Sequence, residues 1–178
     1  MEFETLPALL LTGPPGVGKT TVIRRVAEKL AGRKLGGFIT EEIRSGGERV
    51  GFRLQTFDGA SLILAHVENR SPHRIGRYGV DLRALESMAD RALDPSSAEI
   101  FLLDEIGRME CLSPRFVQSA TALLDSGKPV VATIAAQGAG FIERVKARPG
   151  AELWTVTRAN REDLPAKVLA RLGEMFEL

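Results

Sequence analysis

Short apolar runs alternate along the chain with segments in which apolar residues recur every three or four positions. The runs predict strands, and the recurring positions predict helices that each bury one face. Strands are predicted at residues 8–12, 99–103, 129–134 and 152–157. Helices are predicted at 19–30, from Asp81 to 94, from Ser113 to 126, at 141–146 and from Asn160 or Asp163 onward. This alternation predicts an α/β fold in which helices cover both faces of a mainly parallel sheet.

The pattern changes between about residues 36 and 67. Alternating polar and apolar residues there are interrupted by glycine-containing turns at 45–48 and 58–59. Such turns predict a β-hairpin or an antiparallel meander, inserted at the second strand of the sheet. Residues 69–79 contain three Arg and one Pro and are predicted to form a loop. Because no linker or repeat is visible, we expect a single domain over residues 1–178.

Residues 13–20 read GPPGVGKT directly after the first strand, which matches the phosphate-loop pattern G-x-x-x-x-G-K-[ST]. Glycines in such a loop allow backbone N–H groups to surround phosphate oxygens, and the following helix directs its positive N-terminus at the same place. We expect Lys19 to reach the β- and γ-phosphates and Thr20 to bind Mg²⁺.

An acidic pair, Asp104 and Glu105, ends the buried strand at 99–103. The carboxyl ends of parallel strands meet at one edge of the sheet, where ligands bind in this class of fold. We therefore expect Asp104 to hold Mg²⁺ through a bound water and Glu105 to act as a general base toward an attacking water. Arg108 is a candidate cation for stabilising transferred charge, and Thr133 and Gln137 are candidate contacts to the γ-phosphate or the water.

The bulk composition adds constraints on partners and compartment. Lys and Arg number 24 against 23 Asp and Glu, so the formal net charge is +1 and no basic excess suggests nucleic acid as a partner. Cys111 is the only cysteine, which rules out an internal disulfide. No signal peptide and no apolar run of membrane-spanning length is visible. We expect a cytoplasmic protein that binds nucleoside triphosphates and does not associate with a membrane.

Four further segments resemble one family beyond the phosphate loop. They are GFITEEIR at 37–44 followed by GF at 51–52, GRYGVDL at 76–82, DEIGRME at 104–110 and VTRANR at 156–161. In this order they are similar to the blocks of the small thermophile-type nucleoside-triphosphatases, called cancer-related nucleoside-triphosphatases in animals.

The resemblance implies a three-layer α/β/α phosphate-loop NTPase with an extra strand between the phosphate-loop strand and the acidic strand. It implies slow, Mg²⁺-dependent hydrolysis of several nucleoside triphosphates (ATP, GTP, CTP and UTP) to the diphosphate. The residues then expected to contact the nucleotide are Gly13, Pro14, Pro15, Gly16, Val17, Gly18, Lys19, Thr20, Thr21, Leu103, Asp104, Glu105, Ile106, Gly107 and Arg108. Catalysis is assigned to Lys19, Glu105 and Arg108, and metal binding to Thr20 and Asp104.

Two other functions use the same phosphate loop. A nucleoside or nucleotide kinase would place an acceptor hydroxyl where the hydrolase places water, and a slow switch would use hydrolysis to time its binding to an unknown protein partner. Glu105 beside Asp104 favours hydrolysis. The sequence leaves the roles of Glu41, Glu42, Arg77, Tyr78, Thr157, Asn160 and Arg161 open between contacts to the substrate and structural anchoring.

Overall fold

Nine strands, five α-helices and one short 3-10 helix alternate along the computed structural model, which describes residues 7–176. The ends of the expected 1–178 domain, residues 1–6 and 177–178, lie outside the described residues. The strands are β1 (Ala8–Thr12), β2 (Leu35–Ser45), β3 (Glu48–Thr56), β4 (Ser61–His66), β5 (Arg74–Ile75), β6 (Tyr78–Val80), β7 (Ile100–Ile106), β8 (Val130–Ile134) and β9 (Ala151–Thr155). The helices are α1 (Lys19–Lys29), α2 (Leu82–Ala92), the 3-10 helix (Glu110–Leu112), α3 (Pro114–Leu124), α4 (Phe141–Lys146) and α5 (Leu164–Phe176).

All nine strands form one sheet in the order β5-β6-β4-β3-β2-β7-β8-β1-β9. The strands from β2 to β9 in this order are parallel, and β3, β4, β6 and β5 extend the sheet as antiparallel strands beyond β2. β8 lies between the phosphate-loop strand β1 and the acidic strand β7, as the resemblance implied. The predicted antiparallel meander at 36–67 is therefore confirmed as β2, β3 and β4.

Helices cover both faces of the sheet, which confirms the three-layer α/β/α arrangement. Leu85 of α2, Phe116 of α3 and Phe141 of α4 are buried in the core on one face. Val26 of α1 and Val168 of α5 are buried in the core on the other. Apolar burial on both faces explains why the parallel strands read as continuous apolar runs rather than alternating ones.

Two helix starts follow the predicted capping chemistry. The Asp81 carboxylate accepts a hydrogen bond from the Ala84 amide (3.0 Å), and the Ser113 hydroxyl accepts one from the Phe116 amide (3.1 Å). Each satisfies an N–H group that has no partner within its helix. α5 begins at Leu164, directly after Asp163.

The prediction of a loop over residues 69–79 is wrong in its second half, which forms β5 and β6. β6 pairs with β4 through Ala65 and Val80, and all three of its residues are buried. The Tyr78 ring packs edge-on against Phe52 of β3 at 5.1 Å between ring centroids. This contact with a residue far along the chain stabilises a strand too short to leave a periodic pattern in the sequence.

Among residues 7–176, no helix has both the length and the apolar character that a membrane crossing requires.

Candidate active site

The phosphate loop follows β1 at the carboxyl edge of the sheet, and α1 begins directly after it at Lys19. At Gly13 the chain passes so close to the end of β9 that an added Cβ would lie 2.8 Å from the Val156 carbonyl oxygen. A side chain there would push the loop away from the last strand. Pro14, Pro15 and Gly16 are exposed, whereas Val17 is buried and anchors the loop in the core.

Lys19 links the phosphate loop to the acidic strand. Its Nζ donates a hydrogen bond to the Gly13 carbonyl oxygen at 2.6 Å and lies 3.4 Å from Oε2 of Glu105. The side chain of Lys19 is 11% exposed and that of Glu105 is 33% exposed. The ammonium group and the predicted base are thus neighbours in a partly dry environment, where their attraction exceeds that of a surface pair.

Asp104 is held by hydroxyl groups from three different elements. Thr20 of α1 donates to Oδ2 at 2.7 Å, and Thr133 of β8 donates to Oδ1 at 2.7 Å. Thr40 of β2 donates to the Asp104 backbone carbonyl. The residue is 2% exposed, and burial raises its carboxyl pKa, while the hydroxyl donors and the charge of Lys19 act in the opposite direction.

Glu105 follows on the same strand and has a different environment. Burial raises its carboxyl pKa, the Lys19 charge lowers it, and the neighbouring Asp104 raises it. A raised pKa brings a carboxylate closer to the range in which it accepts protons from water near neutral pH. Partial exposure leaves its oxygens accessible to a water molecule.

The pairing of Thr20 with Asp104 suits a divalent cation of the hard type. A hydroxyl and a carboxylate oxygen are ligands that Mg²⁺ accepts, and Mg²⁺ in such sites takes its remaining ligands from water and from substrate phosphates. In the part of the chain that is described, no group of three or more His, Cys, Asp or Glu side chains could hold a metal ion alone. The donor set therefore fits a cation that arrives with a nucleotide rather than one held in an all-protein cage.

The remaining predicted nucleotide contacts differ in exposure. Arg108 is exposed beyond the acidic strand, and Thr21 is exposed on the first turn of α1. Leu103 and Ile106 are both 0% exposed, so only their backbone atoms are available for a ligand. Gly107 lies between them and Arg108, in the turn that leaves β7.

Glu41 and Glu42, whose roles the sequence left open, are engaged in ion pairs. Glu41 pairs with Arg24 of α1 (2.5 Å) and accepts a hydrogen bond from Gln55 of β3 (3.0 Å). Glu42 pairs with Arg44 and Arg49 on the hairpin. Glu41 thus ties the hairpin to the helix that carries the phosphate loop.

Arg77 and Tyr78 are structural anchors of the sheet extension. Arg77 pairs with Glu48 (2.5 Å), and its guanidinium lies 5.4 Å from the centroid of the Tyr78 ring. Tyr78 also accepts a hydrogen bond from Nε of Arg49 at 3.0 Å.

Gln137, a candidate contact to the γ-phosphate or the water, is exposed beyond the end of β8.

The loop between β9 and α5 contacts the phosphate loop from outside. Arg161 donates to the Val17 carbonyl oxygen at 3.2 Å, while Asn160 closes a turn by accepting from the Thr157 amide at 2.8 Å. A cavity of about 270 Å³ opens beside this contact. It is lined by Gly18, Thr21, Val22, Arg25, Arg161 and Glu162.

Sequence reasoning did not find two residues at this site. They are Thr40 and Glu110, neither of which was assigned a role of its own. Glu110 is 5% exposed, and its carboxyl group lies beside Gly107, as that of Glu105 does. Both stand inside segments that the family resemblance had marked, at 37–44 and 104–110. Their presence in those segments was the available signal, but which side chain turns inward depends on the tertiary fold.

Comparison with known proteins shows the family of the chain. The model of the family described as NTPase matches residues 8–169. The chain belongs to this NTPase family. The nucleoside-triphosphatase THEP1 of Thermotoga petrophila is 41% identical over 163 residues, covering 90% of each chain. The THEP1 protein of Methanosarcina acetivorans is 40% identical over 168 residues, covering 92% of this chain and 95% of its own.

Solved structures agree with these sequence relatives. The crystal structure of THEP1 from Aquifex aeolicus matches with a TM-score of 0.84 at 32% identity, covering 93% of this chain and 98% of that one. The solution structure of a human cancer-related nucleoside triphosphatase matches with a TM-score of 0.80 at 34% identity, covering 94% and 98%. The resemblance found in the sequence, the fold class and the expectation of an enzyme that hydrolyses nucleoside triphosphates are confirmed.

Proposed function

We propose that the protein hydrolyses the bond between the β- and γ-phosphates of nucleoside 5′-triphosphates, with water as the acceptor and Mg²⁺ as the metal ion. The observation that carries the proposal is the position of Glu105. Its carboxylate is beside Lys19 on one side and next in sequence to the Asp104–Thr20 pair on the other. A base, a cation and a pair of metal ligands thus converge on one edge of the sheet, next to the phosphate loop.

Binding of the triphosphate falls to residues 13–20. Their backbone N–H groups and the N-terminus of α1 are suited to phosphate oxygens. Lys19, now bonded to the Gly13 carbonyl, is within reach of the same loop and would exchange that contact for the β- and γ-phosphates. Backbone binding of this kind does not distinguish one base from another.

The metal ligands would be Thr20 directly and Asp104, the latter through a bound water. When bound, Mg²⁺ neutralises charge on the β- and γ-phosphate oxygens. Thr133 keeps Asp104 oriented from the neighbouring strand, so that Oδ2 remains directed at Thr20. Asp104 thereby contributes a fixed negative charge at the place where the cation is needed.

Glu105 orients the attacking water and accepts its proton. The water oxygen forms a bond to the γ-phosphorus as the bond from phosphorus to the β–γ bridging oxygen breaks, and the diphosphate leaves with that electron pair. Lys19 offsets charge on the transferred group, and Arg108, exposed three residues after Glu105, is the candidate for a second cation. General base catalysis of this kind contributes about 10²–10⁴-fold to the rate.

The cavity beside the phosphate loop supports the proposal of broad base specificity. Its charged lining residues are Arg25, Arg161 and Glu162, and none of its lining side chains is aromatic. Arg25 and Glu162 already form an ion pair with each other. A base placed there would meet guanidinium planes, which stack on any base, so we expect ATP, GTP, CTP and UTP all to be substrates.

The test is phosphate release from these four nucleotides with Mg²⁺, comparing the unaltered protein with Glu105→Gln. We expect acceptor-independent release from all four and a decrease in kcat of about a hundredfold in Glu105→Gln. Nucleotide affinity, measured separately by equilibrium binding, should change little, because the amide keeps the shape of the side chain. The matched control is Glu28→Gln, which neutralises an exposed glutamate on α1.

Three outcomes would contradict the proposal. Consumption of the triphosphate only when a nucleoside or nucleotide is added, with the phosphoryl group recovered on that acceptor and not as free phosphate, would identify a kinase. Release that requires a protein from cell extract would identify a partner-timed switch. Full activity of Glu105→Gln would show that Glu105 is not the base.

A further inference from the structure

Glu110 is a buried carboxyl group that the proposed chemistry does not use. It opens the short 3-10 helix that follows β7, and it is 5% exposed. The turn before it is closed by the Cys111 amide, which donates to the Gly107 carbonyl oxygen at 3.0 Å. A fully buried carboxyl group is costly unless it is paired or protonated.

The carboxyl groups of Glu110 and Glu105 both lie beside Gly107. An added Cβ at Gly107 would lie 2.8 Å from Oε1 of Glu105 and 3.0 Å from Oε2 of Glu110. Both carboxyl groups therefore occupy the space that any side chain at position 107 would need. Lys19 approaches Glu105 through its other oxygen, Oε2, at 3.4 Å.

The charges around Glu110 favour its protonated form. The pKa of Glu110 is raised to about 8: burial is the largest cause, the charges of Glu105 and Asp104 also raise it, and backbone hydrogen bonds at Glu110 and Gly107 lower it. The next side chain, Cys111, has a thiol pKa raised to about 12 and stays neutral, and Arg144 of α4 acts on that thiol. The Lys19 ammonium group lies beside Glu105 and stabilises its charged form. Of the two carboxyl groups, we therefore expect Glu105 to carry the negative charge.

We propose that Glu110 is a positioning residue for the hydrolysis: as a neutral acid packed behind Gly107, it holds the Glu105 carboxylate toward Lys19 and the attacking water. Glu110 does not touch the substrate in this arrangement. A second charge at position 110 would repel Glu105, and a smaller side chain would leave Glu105 and the turn at 107–110 without support. The inference rests on the proposed role of Glu105 as the base.

The experiment is steady-state phosphate release from ATP with saturating Mg²⁺, measured from pH 6 to pH 9.5. The variants are Glu110→Gln, Glu110→Ala, Gly107→Ala and Glu105→Gln, with Cys111→Ala as the control on the same short helix. At pH 7 we expect Glu110→Gln to keep kcat within about threefold, since the amide is neutral and of equal size. Glu110→Ala and Gly107→Ala should lower kcat by about tenfold or more with little change in KM.

The pH profile separates positioning from a structural role. In the unaltered protein, kcat should decrease above about pH 8 as Glu110 ionises beside Glu105. Glu110→Gln should lack this decrease, and Cys111→Ala should retain it. If Glu110→Ala does not fold, the pH profiles of Glu110→Gln and the unaltered protein still distinguish a positioning role from a structural one.

Two results would overturn the inference while leaving the hydrolase intact. They are equal loss of kcat in Glu110→Gln and Glu110→Ala, and alkaline profiles of Glu110→Gln and the unaltered protein that coincide. Full activity in Glu105→Gln would instead remove the proposed base, and with it the inference that rests on it.

Discussion

Both carboxylate oxygens of Asp104 accept a hydroxyl hydrogen bond, but the two donors differ in kind. Thr20 belongs to the phosphate loop, where its hydroxyl is also the proposed metal ligand. Thr133 is 0% exposed on the neighbouring strand, so its bond to Oδ1 is shielded from solvent. Residues that support a metal ligand in this way commonly alter metal affinity 10–100-fold when they are removed.

Thr133→Val should therefore weaken metal binding without opening a cavity. Valine has nearly the shape of threonine but leaves Oδ1 of Asp104 without its donor. We expect the Mg²⁺ concentration for half-maximal phosphate release to rise about tenfold. Thr121→Val is the matched control, because Thr121 donates to the Val117 carbonyl within α3 at 2.7 Å, away from the site. An equal rise in both variants, or none in either, would contradict the assigned role.

The sequence predicted Asp104 as a metal ligand but not its support by Thr133. Asp104 stands in a local pattern, an apolar strand that ends in acids, and local patterns are legible in one sequence. Thr133 reaches Asp104 because β7 and β8 pair with Leu103 opposite Ala132, and the register shifts before Ile106. Register between strands about thirty residues apart is set by packing of the whole sheet. The sequence therefore marked Thr133 as a candidate contact to the γ-phosphate or the water, but not as a donor to Asp104.

Secondary structure was predictable where it depends on local chemistry. β1 and α4 begin and end at the expected residues, and the Asp81 and Ser113 caps form as expected. β5 and β6 were missed because they depend on partners elsewhere in the sheet. Gly37 lies inside β2, where it pairs with Leu102 of β7.

Gly37 is required at its position for two reasons, and both can be tested by Gly37→Ala. Its φ is +93°, and an added Cβ would lie 2.0 Å from the Leu102 carbonyl oxygen on the adjacent strand. To accept this Cβ, the paired backbones of β2 and β7 would have to move apart. We therefore expect the free energy of unfolding to fall by about 3 kcal/mol or more. Gly46→Ala is the control: its φ is +57° in the turn between β2 and β3 and nothing lies within 4 Å, so a loss of about 1 kcal/mol is expected.

Urea denaturation of the two variants and the unaltered protein measures this difference. Equal destabilisation of Gly37→Ala and Gly46→Ala would mean that strain in φ alone accounts for the cost. It would also mean that β2 can move away from β7 without loss of stability.

At the scale of the whole molecule, the parallel sheet gathers residues far apart in the chain at one edge. Lys19, Thr40, Asp104 and Thr133 come from four different elements, α1, β2, β7 and β8. The same convergence concentrates acids in the interior. Asp104, Glu105 and Glu110 all have raised carboxyl pKa values, and burial is the largest cause for each. The site that serves phosphate chemistry therefore lowers the stability of the fold at neutral and alkaline pH.

Glu110 allows this cost to be measured. Its pKa in the folded state is about 8, against an ordinary value of 4.5, so the unfolded chain releases the proton first as pH rises. Its contribution to stability is complete below about pH 4.5, decreases between pH 4.5 and pH 8, and is constant above pH 8. Between pH 5 and pH 7 the loss amounts to about 2 to 3 kcal/mol, since one pKa unit corresponds to about 1.4 kcal/mol.

Glu110→Gln lacks the titrating group, so its stability relative to the unaltered protein should increase over that interval and level off above pH 8. Denaturant unfolding at pH 5, 6, 7, 8 and 9 without nucleotide gives the difference at each pH. Glu28→Gln is the control for replacing a glutamate by glutamine at an exposed position. A difference for Glu110→Gln that is flat from pH 5 to pH 8 would mean that Glu110 ionises at its ordinary pKa, and that this interior tolerates its charge.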